Sequence, residues 1–134
     1  MIVRKYHKDG TLPKDGEFFV FGSNLSGIHG AGAAKVAYNL FGTPWGQGEG
    51  AHINGNYKSY AIATKDHRIE TLPMEQVCLN IDKFVSYTES FPHYKFFVTR
   101  IGCGLAGFKD EQIAPLFVGA KNCSFAEQWK IYLD

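Results

Sequence analysis

Two glycine-punctuated stretches hold most of the chemistry open to this chain: Gly22-Ser23-Asn24-Leu25-Ser26-Gly27-Ile28-His29-Gly30-Ala31-Gly32-Ala33 and Gly102-Cys103-Gly104-Leu105-Ala106-Gly107-Phe108. Glycine admits φ > 0 and lets the backbone approach a ligand closely, and the free amides at a helix start carry a partial positive charge. Loops of this kind cradle anions, with phosphate as the default guest. Between them lies a polar cluster, Lys65-Asp66-His67-Arg68. The first stretch lacks the Gly-Lys-Ser/Thr ending of a nucleotide-triphosphate loop and is only a loose match to the dinucleotide fingerprint. Tight strand-to-helix geometry alone would also account for its glycines, so the flanking elements have to decide.

Those elements alternate. Glu17 to Phe21 is aromatic-rich without alternation, the pattern of a strand covered on both faces. Ala34, Ala37, Leu40 and Phe41 then recur at helical spacing, with Gly42 and Pro44 as stop signals. Ser59 to Ala63 reads as a second buried strand ending at the Lys65 cluster. The stripe Met74, Val77, Cys78, Ile81, Phe84 and Val85 marks a helix between Pro73 and Ser90. Lys95 to Ile101 is a third strand. It feeds the second glycine loop and a helix that buries Ile113, Leu116, Phe117 and Ala120, with Asp110 placed to cap it and Pro115 in or near its first turn. Ile2 to Tyr6 makes a short edge strand, residues 8–16 are a surface tether and not a site, and residues 43–57 form a long flexible connection. Phe125 to Leu133 fits either a terminal helical turn or a short strand through Trp129, Ile131 and Leu133.

The alternation predicts an α/β fold, a three-layer α/β/α sandwich with a mainly parallel central sheet, and residues 1–134 are expected to form a single domain. Parallel strands end on one edge, where open α/β sheets bind ligands. Here the segments leaving the three strands are the two glycine loops and the Lys65 cluster, which suits a diphosphate or a phosphate plus sugar. Asn24, Lys65 and Phe108 are the side chains expected to supply selectivity.

Composition removes other classes. The formal charge is +1 with both signs mixed along the chain, so no electrostatic footprint marks a nucleic-acid or anionic-membrane surface. Cys78, Cys103 and Cys123 are odd in number and widely spaced, which argues against a disulfide scaffold and for a reducing, cytoplasmic setting. No segment has signal-peptide or membrane-span character. His7, His52 and His93 show no ligand spacing, so neither a metal site nor a cofactor is expected. His29 is either a polar handle on a ligand or an ordinary loop histidine, and Lys65 either a cleft cation or a solvated surface lysine. Phe108 either stacks on a sugar or plugs the core. Cys103 is read as a small loop residue ahead of a low-pKa nucleophile.

Asn24, His29-Gly30-Ala31-Gly32-Ala33-Ala34, Phe41-Gly42, Tyr60-Ala61-Ile62-Ala63-Thr64-Lys65 and Arg100-Ile101-Gly102-Cys103-Gly104-Leu105 together resemble the macrodomain superfamily over about residues 17–118. The nearest branch is that of terminal ADP-ribose glycohydrolases and ADP-ribose-1''-phosphatases, and small macrodomain-like proteins of phages and bacteria are similar over most of the chain. The resemblance implies binding of ADP-ribose or a related nucleotide. Nucleic acid is expected as a partner only where it carries an ADP-ribosyl group, and the oligomeric state is open. Asn24 would meet the distal ribose. Gly30, Ala31, Gly32 and Ala33 would surround that ribose and the diphosphate, joined by Gly22 and Ser23. Gly102, Cys103, Gly104, Leu105, Ala106, Gly107 and Phe108 would form the second diphosphate loop. Lys65 falls in the segment that holds a catalytic lysine in the glycohydrolase branch, so Lys65, Asn24 and His29 are the catalytic candidates for an ADP-ribosyl hydrolase or ADP-ribose phosphatase. One departure matters: the catalytic aspartate that follows Gly-Cys-Gly-Leu in that branch is Ala106 here. A lysine could still attack an opened ribose, with Asp66, Asp110, His29 or His67 left to replace the missing acid. Binding therefore ranks above catalysis. The alternatives are a non-catalytic nucleotide sensor or sequestering protein, or an interaction domain with a vestigial cleft.

Overall fold

The computed structural model of the chain describes residues 4–134. Six strands, β1 (Lys5–His7), β2 (Phe18–Asn24), β3 (Gly50–Asn54), β4 (Tyr57–Lys65), β5 (Phe96–Val98) and β6 (Cys123–Ala126), form one sheet in the order β1-β6-β5-β2-β4-β3. All neighbours run parallel except β3 and β4. Ile2 and Val3 of the expected edge strand lie outside the described residues.

β2 is central because both of its faces are apolar. Phe18 and Val20 turn toward the larger core, which contains Val77, Ile81 and Phe84 of α2 (Met74–Ser90). Phe19 and Phe21 turn the other way and pack on Ala34 and Ala37 of α1 (Gly32–Leu40). The sheet is thus covered on both faces, as the lack of alternation in Phe18-Phe19-Val20-Phe21 requires. The larger core also takes in Ile113 of α3 (Asp110–Ile113), Phe117 of the 3-10 turn Ala114–Phe117, and Leu133 of α4 (Lys130–Leu133).

Helix ends follow the expected chemistry in part. α1 stops where Gly42 takes φ 69°, and the Thr43 amide reaches back to the Ala37 carbonyl at 3.2 Å, closing the helix end. Asp110 does not cap α3. The residue preceding the helix is Lys109, whose amide donates to Gln112 Oε1 at 2.9 Å. The Asp110 carboxylate is engaged elsewhere.

Two other expectations change. The long connection over residues 43–57 contains β3, which pairs with β4 in a hairpin with Asn54 opposite Tyr57. The turn is Gly55-Asn56 with Gly55 at φ 62°, and glycine at the first central position is what a two-residue turn of this hand demands. At the tail, Trp129, Ile131 and Leu133 lie in helical turns, so the helical alternative holds, and the strand there is an earlier one, Cys123–Ala126.

Candidate functional site

A cleft of about 580 Å³ opens along the carboxyl edge of the parallel strands. β2 delivers Gly22, Ser23 and Asn24, β4 delivers Thr64 and Lys65, and the chain leaving β5 delivers Thr99, Arg100 and the second glycine loop. Ser23 stands opposite Ala63, but Asn24 stands opposite Lys65, because β4 carries one extra residue at Thr64. That bulge sets Lys65 beside Asn24 at the mouth.

The first loop is held from behind. The Asn24 carboxamide accepts the Ile28 amide at 3.0 Å and donates to the Ile28 carbonyl at 2.8 Å. The Gly46 amide donates to the Gly27 carbonyl at 2.9 Å. Gly27 and Gly48 permit this contact: a Cβ on Gly27 would lie 2.2 Å from the Gly46 carbonyl carbon, and one on Gly48 would lie 1.8 Å from the Asn24 carbonyl oxygen. On its open side the loop presents Gly30, Ala31, Gly32 and Ala33 to the cleft. The amides of Gly30 to Ala34 donate to no acceptor among the described residues, α1 has no side-chain cap, and its first turn holds no acidic residue. The amide set is free to meet an anion.

The second loop divides its amides. Those of Cys103, Gly107 and Phe108 close internal turns on Arg100, Gly104 and Gly102. Those of Gly104, Leu105 and Ala106 have no acceptor among the described residues, and these three residues line the cleft. Leu105 stands out at 77 % exposure.

Most of the expected site residues meet at this cleft: Gly22, Ser23, Asn24, Gly30 to Ala33, Lys65 and Gly102 to Ala106 all line it. His29, Gly107 and Phe108 do not. His29 is 1 % exposed, with Nε2 donating to the Pro44 carbonyl at 3.1 Å and the ring edge-on to both Phe21 and Trp45. It belongs to the wall behind the loop and is not a handle on a ligand. Phe108 packs against the larger core and against Gly102, whose Cβ position lies 3.2 Å from the Phe108 ring, so it serves as a plug.

None of the residues considered as stand-ins for the missing acid lines the cleft. Asp66 is half-buried, and its carboxylate accepts the Glu70 and Arg68 amides, which lower its pKa. His67 lies in the exposed turn beyond β4. Asp110 takes a bidentate pair from Arg100, Nε to Oδ1 at 2.9 Å and Nη2 to Oδ2 at 2.5 Å, and accepts Trp129 Nε1 at 2.7 Å. Arg100 foremost holds that carboxyl below its usual range. Burial first, then Asp110, pushes the Cys103 thiol up to about 12, the opposite direction from the lowered pKa of a reactive cysteine.

The cleft also contains residues that sequence reasoning placed outside it. Asp9, Gly10, Thr11 and Leu12, read as a tether, form one wall, with Asp9 paired to Arg100 at 3.2 Å. His7 joins them, stacked on Phe97 at 3.7 Å and hydrogen-bonded through Nδ1 to Ser124 Oγ at 2.7 Å; burial lowers its pKa. The missed signal was directional. Once β1 runs parallel to β6, whatever follows β1 must emerge at the same edge as the glycine loops. Of the charged side chains lining the cleft, Asp9 and Arg100 are paired with each other, whereas Lys65 makes no ion pair among the described residues.

No family model matches the sequence, and no curated protein matches it. Solved structures do. The macrodomain of Thermus aquaticus DarG superposes with a TM-score of 0.69 at 15% identity, covering 93% of this chain and 98% of that one. The macrodomain of Mycobacterium tuberculosis DarG gives 0.65 at 14% identity, covering 94% and 98%. Thermosipho africanus DarTG, solved in complex with ADP-ribose, gives 0.58 at 17% identity, covering 88% of this chain and 43% of that one. The order of strands and helices, the mostly parallel sheet and these superpositions agree that the chain has the macrodomain fold.

Proposed function

We propose that the cleft binds ADP-ribose or a closely related nucleotide, with the diphosphate between the two glycine loops and the distal ribose near Asn24 and Lys65. One observation carries the reading: two separate sets of unspent amides, Gly30 to Ala34 and Gly104 to Ala106, border a single cleft of about 580 Å³. A volume of that order suits a nucleotide-sized ligand. Each amide given to a charged oxygen contributes about 1.5–3 kcal/mol, and the α1 terminus adds roughly 0.3–1 kcal/mol. Lys65, free of any ion pair among the described residues, supplies the positive charge at the mouth. The ADP-ribose complex of the Thermosipho africanus protein, which shares the fold, supports the choice of ligand.

Hydrolysis is the second reading, motivated by Lys65 at the ribose end. Against it stands the chemistry of the lining: Ala106 occupies the position of the expected acid, and the carboxylate that does line the cleft, Asp9, is paired with Arg100. The site is therefore read first as a binder. ADP-ribose at about a hundred times its Kd should stabilise the protein by roughly 2.7 kcal/mol. Calorimetric titration with ADP-ribose and ADP-ribose-1''-phosphate tests this directly, and the absence of heat and of any Tm rise with both would refute it. Turnover assays on ADP-ribosylated protein, ADP-ribosylated nucleic acid and the 1''-phosphate separate binder from enzyme.

A further inference from the structure

His29 sits in the middle of the first glycine loop yet faces away from the cleft. Its bonding is one-sided. Pro44 offers a carbonyl oxygen, which only accepts, so Nε2 carries the proton and Nδ1 is bare in the neutral ring. Nδ1 is buried and has no partner among the described residues. Two aromatic rings border the slot, Phe21 edge-on at 5.8 Å and Trp45 at 6.0 Å, with the Gln47 backbone also close to the imidazole.

We propose that His29 is a proton-operated latch on the first glycine loop: neutral, it holds residues 24–32 against residues 43–48 and so presents the Gly30 to Ala34 amides; protonated, it releases them. Protonation would place a full charge between two aromatic rings, where the cost of burial outweighs what the Pro44 and Gln47 backbone carbonyls return. No acidic side chain among the described residues is paired with that charge. β2 contributes Phe21 to the slot, and residues 43–48 contain no titratable side chain. From α1 come only Lys35, itself a cation, and Tyr38, whose ring lies against Trp45 at 5.5 Å. Burial accordingly lowers the imidazole pKa below its ordinary 6.5.

The latch is coupled to the amides through the chain itself. Ile28, on one side of His29, is clamped by Asn24, and Gly30, on the other, lines the cleft. Expelling the ring breaks the His29–Pro44 bond and lets the loop backbone swing off its Gly27–Gly46 contact. That this affects a ligand rests on the nucleotide-binding reading above.

The test uses the full chain without ligand first. Nuclear magnetic resonance should show the His29 ring titrating below 6.5, with the Gly30 and Gly32 amide signals moving at the same midpoint. A ring that titrates at or above its ordinary value, or amides that ignore it, overturns the latch. Calorimetry with ADP-ribose is the second arm: the Kd should rise about tenfold from about pH 7.5 to about pH 5. His29→Phe, which keeps the slot filled, should lose that rise, and a variant that retains it in full overturns the latch. If ring and amides titrate together but ADP-ribose binds at no pH, the latch stands and the ligand assignment falls.

Discussion

Asn24 closes a ring on Ile28, accepting its amide at 3.0 Å and donating to its carbonyl at 2.8 Å. Removing the carboxamide leaves two half-buried backbone groups without partners. Asn24→Ala should lower stability by about 1–3 kcal/mol and weaken ADP-ribose binding. Asn24→Asp keeps the acceptor, loses the donor and points a negative charge toward the anion, so affinity should suffer more than stability. Urea unfolding and calorimetry on both variants check this; an Asn24→Ala midpoint equal to the parent's would show that the ring bears no load.

The glycines divide into two groups with opposite expected phenotypes. Gly30 and Gly104 line the cleft without positive φ, and a Cβ on either meets nothing within 4 Å. Gly30→Val and Gly104→Val should therefore keep stability within about 0.5 kcal/mol, while the added side chain lowers affinity for ADP-ribose by roughly tenfold. Gly27→Ala and Gly48→Ala collide with backbone behind the loop, at 2.2 Å and 1.8 Å, and should destabilise the fold. The cost should be about 3 kcal/mol or more. Paired Tm and Kd measurements separate the groups.

Arg100 ties the wall containing Asp9 to α3 through Asp110 and, by way of Asp110, to Trp129. Because the Asp110 pKa is lowered in the fold, its contribution is complete above the unfolded carboxyl value and is lost as pH falls through the folded one. Asp110→Asn should cost about 1–2 kcal/mol at pH 7, a figure reduced for partial exposure of the pair. Unfolding curves at neutral and strongly acid pH should show the difference between parent and variant shrinking in acid. A constant difference would contradict the pairing.

Lys65→Ala should leave stability within about 0.5 kcal/mol, since no ion pair is lost among the described residues. Affinity for ADP-ribose should fall by roughly tenfold, more for the 1''-phosphate. Ala106→Asp adds the carboxylate that the resemblance associates with catalysis. If Lys65 can attack an opened ribose, this variant turns over ADP-ribosylated protein faster than the parent, and Lys65→Ala abolishes the gain. Turnover unchanged by both substitutions would leave the protein a binder.

The sequence by itself determined the layered α/β order, the helix along Met74 to Ser90, and the placement of two glycine loops after buried strands. These are short-range properties: a doubly buried strand must be apolar throughout, an amphipathic helix must repeat at its own period, and a loop meeting an anion must expose amides. The Gly55-Asn56 hairpin was also legible, as a glycine turn between two strand-forming runs, but the surrounding glycines of residues 43–57 masked it.

Tertiary structure alone decided the rest. Parallel pairing of β1 with β6 brought Asp9 to the cleft, and the bulge at Thr64 set Lys65 beside Asn24. Asp110 was drawn from a cap to Arg100, and His29 was turned into the wall. Each outcome depends on partners far away in the chain, which compete for a side chain against its local roles. A residue type announces what it can do, but the partner it finds across the fold selects which of those things it does.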